Sequence, residues 1–256
     1  MVEYTRMKAI IPAAGRGTRF LPVTRVVPKE MLPIGARPAL EVIVDEAKSA
    51  GADEIVLVVS PGKELICEYF RGDPAIRFAC QEEQKGLGDA VKKGLEAIDA
   101  AEPGENVLVL LGDALVAGCN ASREMAALSS ANGGCGVIGC ERVPREKLSR
   151  YGILKVEGGR IVDLVEKPAP EEAPSDLAVA GRYLLPFAIL GLLRTQTPGK
   201  GGEIQLTDAI RRLVMGEGAD GQAPFPILPY AYPGKRQDIG NPKGYFEALK
   251  AMGENE

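Results

Sequence analysis

Short apolar runs alternate with segments of helical spacing through the first half of the chain, and this alternation constrains the fold more than any other feature. Candidate strands rich in Val, Ile and Leu occur at residues 8–12, 54–60, 75–80 and 106–111. Apolar residues recur at helical intervals over residues 39–50, 88–100 and 121–130. Strands that alternate with helices build βαβ units with parallel strands. The sequence therefore predicts an α/β fold with a largely parallel sheet.

The pattern changes after another candidate strand at residues 135–140. From Pro144 onward, Gly158-Gly159 separates two β-type runs, as in a hairpin. The later elements are two hairpin strands at 152–156 and 160–165, a strand at 178–185, helices at 187–194, 206–215 and 242–252, and a Gly- and Pro-rich segment at 216–229 that precedes a short strand. With no repeat and no interdomain linker, we expect one domain over residues 1–256, with parts at about 1–143 and 144–256.

The residue types present limit the chemistry. The chain contains no histidine, which excludes Ser-His-Asp and Cys-His catalysis, histidine bases and most zinc sites. Its five cysteines show no C-x-x-C spacing, so reduced core thiols are expected. Any catalysis must therefore draw on carboxylates, lysines, arginines and backbone amides, with or without a hard metal ion.

Charge and hydropathy argue against two classes of partner. A net charge of −4 gives no general attraction for nucleic acid or an anionic membrane. The richest apolar stretch, 177–193, is interrupted by Arg182 and Pro186, so no transmembrane helix is expected. The amino terminus contains Glu3 and only a short apolar run, unlike a signal peptide. We expect a cytoplasmic protein without nucleic-acid or membrane partners.

A glycine- and arginine-rich segment, AAGRGTRFLPVTRVVPKEMLPIGARP, occupies residues 13–38 after the first candidate strand. Gly15 and Gly17 allow the backbone to approach an anion closely, and consecutive amides there can form a concave nest. The segment also carries positive charge at Arg16, Arg19, Arg25 and Lys29. Four prolines prevent a long helix, so we expect an extended loop at the carboxyl end of the strand, where open parallel sheets bind ligands.

Two common phosphate-binding loops do not fit this segment. A Rossmann fingerprint requires a third glycine and an immediate helix, whereas Phe20 and Pro22 follow here. This also argues against an NAD-dependent oxidoreductase. A P-loop requires Gly-Lys-Ser/Thr before a helix, and the segment lacks it. From the residues alone, the remaining alternative to an anion-binding loop is a surface turn with solvated charges.

Several segments resemble the sugar nucleotidylyltransferases in the same order along the chain. AAGRGTRFLP followed by PKEMLPIGARP resembles their amino-terminal signature, and PKEMLP is most similar to the bacterial UTP:glucose-1-phosphate uridylyltransferases. The resemblance continues through CQEEQKGLGDAV, VLLGDAL, YGIL, VEKP, AVAGRYLLP, GGEIQLTDAI and DIGNPKGYFEAL. Collinear segments over nearly the whole chain are far more specific than a lone glycine motif.

The resemblance implies a Rossmann-like nucleotide-diphospho-sugar transferase fold, with an open, mixed, mostly parallel sheet flanked by helices and a smaller sugar-binding subregion. Residues 1–143 would bind the nucleotide and residues 144–256 the sugar. The implied reaction is in-line attack by an oxygen of glucose 1-phosphate on the α-phosphorus of UTP, with pyrophosphate leaving. This reaction needs positioned cations rather than a protein nucleophile. The resemblance also leads us to expect a homo-oligomer, either a dimer or a tetramer.

The same resemblance assigns roles to individual residues. Arg19 and Lys29 would contact the nucleotide phosphates, and Lys167 would hold the sugar phosphate. The nucleotide would be bound by Ala13, Ala14, Gly15, Gly17, Thr18 and a base-recognition segment with Gln81, Gly86 and Leu87. The sugar would be bound by Gly152, Glu166, Gly181 and Glu203. On position alone, Glu203 equally fits a cap before the helix that begins near Leu206.

Two aspartates match the metal ligands of the family. Asp113 follows the NVLVLL strand and Asp238 lies in RQDIG. The resemblance implies that both hold Mg²⁺, which bridges the α-phosphate and the sugar phosphate. On position alone, each aspartate is also typical of a turn or cap. If the resemblance holds, the two carboxylates lie close together and face the glycine-rich loop.

Two departures from the uridylyltransferase pattern leave the choice between UTP and dTTP open. Residues 68–79 directly join the helix near Ile66 to Gln81, where longer uridylyltransferases carry an insertion, and Gly112 stands where they usually have proline. The short connection is closer to the thymidylyltransferases. A thymidylyltransferase or another hexose-1-phosphate nucleotidylyltransferase is therefore the nearest alternative. A non-catalytic nucleotide-sugar sensor is the rival from another class, but it would not need the four charged residues of the implied catalytic site, and all are present: Lys29, Asp113, Lys167 and Asp238.

Overall fold

The computed structural model describes residues 7–99, 104–217 and 224–252. Its strands are β1 (Met7–Pro12), β2 (Pro33–Ile34), β3 (Arg37–Pro38), β4 (Ala52–Val59), β5 (Ile76–Cys80), β6 (Asn106–Leu110), β7 (Ala114–Ala117), β8 (Gly136–Arg142), β9 (Gly152–Glu157), β10 (Arg160–Glu166), β11 (Leu177–Pro186), β12 (Ile227–Ala231) and β13 (Lys235–Asp238). Its helices are α1 (Ala39–Ser49), α2 (Glu64–Phe70), α3 (Leu87–Glu96), α4 (Ala121–Ala131), α5 (Ile189–Thr195), α6 (Leu206–Met215) and α7 (Pro242–Met252).

A mixed sheet of nine strands forms the centre of the described part of the protein. Its main path is β10-β9-β11-β6-β1-β4-β5, and β8 joins β11 to β12 beside that path. From β6 to β5 the neighbouring strands are parallel. β11 runs antiparallel to β6, β8 and β9, and β9 and β10 form an antiparallel hairpin. One sheet thus spans both halves of the sequence.

Strand β4 explains why the sheet is covered on both faces. Its residues from Ile55 to Val59 are all buried, as expected for a parallel strand between two layers of helices. Val56 and Val58 belong to the core cluster that includes residues of α3, α5 and α6, whereas Ile55 and Leu57 belong to the cluster that includes residues of α1 and α2. The alternation of side chains along the strand therefore feeds two hydrophobic cores, one on each face.

Outside the main sheet, a small antiparallel sheet pairs β7 with β13. The pairing places Asp238 opposite Ala114, directly after Asp113. The backbone continues this connection beyond the strands, since the Ile239 amide donates to the Asp113 carbonyl at 2.9 Å. Two aspartates that are 125 positions apart in the sequence are thus brought together by backbone pairing.

The structure confirms the α/β prediction and the order of its main elements. The hairpin turn lies at Gly158-Gly159, with a positive φ at both glycines. The helix predicted over 88–100 ends at Glu96, and the end of that predicted range lies outside the described residues. Strands β7 and β13 were not predicted. Within the described residues, no helix is long and apolar enough to cross a membrane.

The predicted extended loop at residues 13–38 consists of short turns. Single 3-10 turns occupy Thr18–Phe20, Val23–Arg25 and Lys29–Met31, and the two-residue strands β2 and β3 follow them. The prolines prevent a long helix, as expected, but local i to i+3 hydrogen bonds keep the chain compact.

Candidate active site

Three loops meet at the edge of the sheet where the parallel strands end. The Ala13 amide, after β1, donates to Val58 of β4 at 2.8 Å, and the Gln81 amide, after β5, donates to Val59 at 2.8 Å. After β6, the Gly112 amide donates to the Pro12 carbonyl at 3.2 Å. Because these bonds fix each loop to the neighbouring strand, the functional candidates of three sequence segments lie side by side.

The two aspartates converge at Gly240. A Cβ atom at this glycine would lie 2.9 Å from Asp238 Oδ1 and 3.0 Å from Asp113 Oδ2. The Gly240 amide donates to Asp238 Oδ1 at 2.8 Å, which orients that carboxylate. Arg19 of the glycine-rich loop reaches the Gly240 carbonyl at 3.5 Å. Only glycine leaves the space between the carboxylates open, and this space borders the loop.

Lys29 lies beside the same carboxylates. Its ammonium is 2.5 Å from Asp113 Oδ2, and only 11% of its side chain is exposed. Burial acts to lower the pKa of Lys29, but Asp113 and the neighbouring Glu30 outweigh this and raise the pKa above its usual value. Burial likewise acts to raise the pKa of Asp113, whereas Lys29 holds that pKa below its usual value. Both groups are therefore charged at neutral pH.

The glycine-rich loop is folded around Gly17. Its φ of 65° is left-handed, and a Cβ there would lie 2.9 Å from the Thr24 methyl group, so a side chain would be strained. Thr24 Oγ1 closes the loop by donating to the Gly17 carbonyl at 2.8 Å. Thr18 and Arg19 are exposed on the outer side of this turn. The loop thus presents backbone and cations next to Lys29.

A cavity of about 320 Å³ lies between this loop and the start of α3. Its lining includes candidates for nucleotide binding together with charged candidates, namely Ala14, Gly15, Lys29, Gln81, Gly86, Leu87, Asp113 and Glu203. Ala13 is buried directly behind it. A cavity that combines apolar walls with a few convergent polar groups is typical of a small-molecule site.

Gln81 is fixed by its own contacts. It is 3% exposed, and its amide nitrogen donates to the Gly86 carbonyl at 3.1 Å and to Asp89 at 2.9 Å. Both amide hydrogens are thus used within the protein. The carboxamide oxygen is the atom of Gln81 that can accept a hydrogen bond from a ligand.

A second group of candidates lies on the β9–β10 hairpin. Glu166 accepts a hydrogen bond from Thr207 Oγ1 at 2.6 Å, and its other oxygen is 3.1 Å from the Lys167 ammonium. Gly152 is opposite Glu166 in the hairpin, and a Cβ there would be 3.2 Å from Thr207 Oγ1. The structure therefore brings three of these candidates together around one carboxylate, with Lys167 half exposed beside it.

The last two sugar candidates lie closer to the nucleotide side. The Gly181 carbonyl accepts a hydrogen bond from the Leu111 amide at 3.0 Å, and Gly181 packs against Ala114, so it borders the turn that carries Asp113. Glu203 lines the cavity beside Gly86, with its Cβ 2.8 Å from the ideal Cβ position of that glycine. Both residues therefore lie on the cavity side of the candidate site, apart from the Glu166 group in the sequence.

Four further residues, which the sequence analysis did not single out, contact the candidate site residues. Glu30 and Lys63 form a buried ion pair behind Lys29, Gln84 donates to the Ala14 carbonyl at 2.8 Å, and Thr207 holds Glu166. Glu30 lies within the quoted PKEM segment, but a charged residue in a loop is usually solvated. Glu30, Gln84 and Thr207 lie in segments that resemble the family, whereas Lys63 lies in none of them.

The chemistry of Asp113 and Asp238 fits a hard divalent cation. Two carboxylates converge on one open space, and no cluster of three or more Cys, Asp or Glu side chains arranged for a metal occurs in the described part of the chain. Mg²⁺ typically takes one or two carboxylates and completes its coordination with substrate phosphates and water. A two-carboxylate set next to a glycine-rich loop that carries Arg19 and Lys29 matches that preference.

Comparisons with known proteins agree with this geometry. The family model described as nucleotidyl transferase matches residues 8–255. A UTP–glucose-1-phosphate uridylyltransferase of Bacillus subtilis is 38% identical, over 96% of this chain and 89% of the relative. An enzyme of the same name from Pseudomonas aeruginosa is 36% identical, over 97% of this chain and 96% of the relative.

Solved structures show the same similarity. A UDP-glucose pyrophosphorylase complexed with UDP-glucose superposes with a TM-score of 0.84 at 35% identity, covering 98% of this chain and all of the other. A UTP-bound enzyme from Acinetobacter baumannii superposes with a TM-score of 0.81 at 31% identity, covering 98% of this chain and 95% of the other. The chain therefore belongs to the nucleotidyl transferase family, and the two relatives from Bacillus subtilis and Pseudomonas aeruginosa are UTP–glucose-1-phosphate uridylyltransferases.

Proposed function

We propose that this enzyme transfers the uridylyl group of UTP to glucose 1-phosphate, forming UDP-glucose and pyrophosphate. The observation that carries the proposal is the convergence of Asp113, Asp238 and Lys29 beside a cavity lined by Gln81 and Gly86. Cations and a metal-binding pair thus border a cavity suited to a nucleotide base. The names of its close relatives supply the two substrates.

The reaction exchanges one phosphoanhydride bond for another. A phosphate oxygen of glucose 1-phosphate attacks the α-phosphorus of UTP, and the bond from that phosphorus to the β-phosphate oxygen breaks. Pyrophosphate leaves with the bonding electron pair. Lys29 and Arg19 stabilise the negative charge on the phosphates, and Lys167 orients the attacking phosphate. No covalent enzyme intermediate is needed.

The proposed metal is Mg²⁺, held by Asp113 and Asp238. Nucleotidyl transferases of this family generally use a divalent metal ion, and Mg²⁺ is the ion that oxygen ligands and phosphates favour. When bound, it would supply positive charge at the transferring phosphate. Because Lys29 is paired with Asp113, its ammonium is available to neutralise phosphate oxygens once that carboxylate has another cation.

The position of Gln81 supports a uracil or thymine base. Its amide hydrogens are donated to Gly86 and Asp89, so the remaining oxygen requires a donor from the base. Uracil and thymine offer their ring N3–H as a donor, whereas cytosine has an unprotonated N3 and only its exocyclic N4 amine as a donor. The side chain therefore favours UTP or dTTP over CTP, and the relatives favour UTP.

On the sugar side, the Glu166 group supplies the matching contacts. Glu166 can accept hydrogen bonds from sugar hydroxyls because Thr207 and Lys167 fix its two oxygens. Lys167 follows directly and, at 45% exposure, can reach the phosphate. Gly181 borders the Asp113 turn and Glu203 lines the nucleotide cavity, so we propose that both contact the sugar from that side. A bidentate carboxylate distinguishes hexoses by the positions of their hydroxyls.

A substrate panel tests the proposal. Purified protein is incubated with Mg²⁺, UTP, dTTP or CTP, and glucose 1-phosphate or galactose 1-phosphate, and pyrophosphate release is measured. We expect the highest kcat/KM with UTP and glucose 1-phosphate and no release with CTP. A preference for dTTP would identify the thymidylyltransferase alternative. Binding of UDP-glucose with no release from any pair would instead identify a sensor.

The same preparation tests two further expectations. We propose that the enzyme acts as a homo-oligomer in the cytoplasm. Light scattering after size exclusion gives the mass in solution, and fractionation of cells that express the tagged chain gives its compartment. A monomeric mass or a membrane-associated pool would contradict the respective expectation.

A further inference from the structure

Glu30 is a buried carboxylate between two lysines. Its side chain is 2% exposed, and each of its oxygens faces a different ammonium group. Glu30 Oε2 accepts a hydrogen bond from Lys63 at 2.7 Å, and Oε1 is 3.9 Å from Lys29. Lys29 is in turn 2.5 Å from Asp113. Four charges of alternating sign thus run from the protein interior to the proposed metal-binding pair.

This chain of charges joins three segments of the protein. Lys63 precedes α2, after the end of β4, and its ammonium also donates to the Ala13 carbonyl at 2.5 Å. Glu30 and Lys29 belong to the same 3-10 turn, Lys29–Met31. Through Lys63 and Glu30, the turn that carries Lys29 is therefore tied to the first residue of the glycine-rich loop.

The arrangement is poorly explained as a stabilising ion pair. Burial raises the pKa of Glu30 although both lysines oppose it, and burial lowers the pKa of Lys63 although Glu30 opposes it. Desolvation thus outweighs the attraction between the two groups, and apolar residues often replace such pairs without loss of stability. A role in orienting a neighbouring side chain explains these buried charges better than a contribution to stability does.

We propose that Glu30 is a positioning residue, which Lys63 holds in place and which fixes the ammonium of Lys29 at the phosphates. The inference rests on the proposed function, because contact between Lys29 and the substrate phosphates belongs to it. When the phosphates attract Lys29 away from Asp113, Glu30 stays bonded to Lys63 and limits how far the ammonium moves. Lys29 therefore reaches the transferring phosphate in one orientation.

A double-mutant cycle tests the proposal with two readouts. Glu30→Gln, Lys29→Gln and the double variant are compared for kcat with UTP and glucose 1-phosphate, and for the affinity of Mg²⁺-pyrophosphate by calorimetry. Glu30→Gln should lower kcat about tenfold or more, and it should weaken pyrophosphate binding severalfold. In the Lys29→Gln background, the same substitution should change both values less than about twofold.

The sign of the binding change separates positioning from simple electrostatics. Removal of a negative charge near an anion site would by itself tighten pyrophosphate binding. Weaker binding in Glu30→Gln therefore has to come from Lys29 losing its orientation. Glu64→Gln is the matched control, because Glu64 is exposed next to Lys63 and does not contact Lys29. The substitution removes the same negative charge as Glu30→Gln. It should leave both readouts within about twofold.

A double variant, Glu30→Leu with Lys63→Met, guards against a loss of folding. Replacement of both charges by apolar groups should leave the thermal unfolding midpoint close to that of the wild type, while kcat falls as far as in Glu30→Gln. Wild-type turnover in this variant, additive effects in the cycle, or tighter pyrophosphate binding in Glu30→Gln would each overturn the positioning role. A wild-type protein without activity on UTP would contradict the proposed function, and the pyrophosphate cycle would still decide the role of Glu30.

Discussion

The two proposed phosphate-binding lysines are held in different ways. Lys29, on the nucleotide side, is 11% exposed and lies between Asp113 and Glu30. Lys167, on the sugar side, is 45% exposed and has Glu166 as its ion-pair partner at 3.1 Å. Lys29 is thus held between two carboxylates, of which Glu30 is buried, whereas Lys167 is more exposed to solvent beside Glu166.

The difference follows from where each lysine lies in the fold. Lys29 borders loops that leave the carboxyl ends of parallel strands, and main-chain hydrogen bonds tie those loops to neighbouring strands. Lys167 follows an antiparallel strand of the β9–β10 hairpin, whose contacts with α6 are made by side chains such as Thr207. A triphosphate is common to all nucleotide donors, so a rigid site suits it. Sugars vary, and a site built from side chains can change without altering the sheet.

The largest effect is expected from a substitution of Asp113, which we propose to serve both the nucleotide side and the sugar side. Asp113→Asn removes a proposed metal ligand and the partner of Lys29, and kcat should fall roughly a thousandfold or more. The fold should persist, since the side chain is partly exposed. Steady-state pyrophosphate release at saturating Mg²⁺ measures the loss. Asp45→Asn, which breaks only a surface ion pair with Arg37, is the control, and near-normal turnover of Asp113→Asn would refute the metal assignment.

The buried ion pair between Arg182 and Glu46 lies beneath the site, and its loss should affect the nucleotide side and the sugar side equally. Arg182 is fully buried, donates to Glu46 at 2.8 and 2.6 Å, and donates to the Ala114 carbonyl at 2.8 Å. Glu46→Gln leaves this guanidinium without its counter-charge, so the free energy of unfolding should fall by about 3–5 kcal/mol. Denaturant titration measures it. A change confined to the KM of one substrate would contradict a shared scaffold.

The pH dependence of that loss has a defined sign. Burial acts to raise the pKa of Glu46, but Arg182 outweighs it and holds the pKa below its usual value. The ion pair therefore contributes fully above the unfolded-state pKa of about 4.3, and its contribution is lost as the pH falls through the folded-state value. The gap between wild type and Glu46→Gln should accordingly narrow below about pH 4.

The sequence predicted elements whose pattern is local. Strand β1 carries an apolar run that ends at Pro12, and its predicted and observed limits agree within one residue. Strand β13, with the sequence KRQD, has no apolar pattern, and it is a strand because it pairs with β7. Such a pairing between distant segments has no local signature.

The candidate site shows the same division. The glycine-rich loop was found from its glycines and cations, and Asp113 was found because it lies in a segment that resembles a known family. The burial of Lys63 could not be predicted, since lysines in loops are usually exposed. Its position depends on a carbonyl fifty residues earlier, at Ala13. Residues that orient others are therefore found only once the fold is known.

A substitution on the sugar side alone should separate the two sides. Lys167→Gln removes the charge proposed to hold the sugar phosphate. The kcat/KM for glucose 1-phosphate should therefore fall about a hundredfold, through a higher KM, a lower kcat or both. The affinity for UTP should stay unchanged, because the base cavity lies beside Lys29 and not beside Lys167. Calorimetric titration with UTP and kinetics with varied sugar phosphate give the two values. Equal losses for both substrates would remove the distinction between the two sides.

The smallest effect should come from Thr207, whose hydroxyl donates to Glu166 at 2.6 Å. Thr207→Val keeps the shape of the side chain but removes this bond, and a single hydrogen bond to a side chain is worth about 0.5–1.5 kcal/mol. The KM for glucose 1-phosphate should therefore rise about threefold to tenfold, and discrimination against galactose 1-phosphate should weaken, because Glu166 gains the freedom to rotate. Thr195→Val, at the exposed last residue of α5, is the matched control. If Thr207→Val instead weakened UTP binding and left the sugar KM unchanged, Glu166 would belong to the nucleotide side, and the contrast between Lys29 and Lys167 would not correspond to the two substrates.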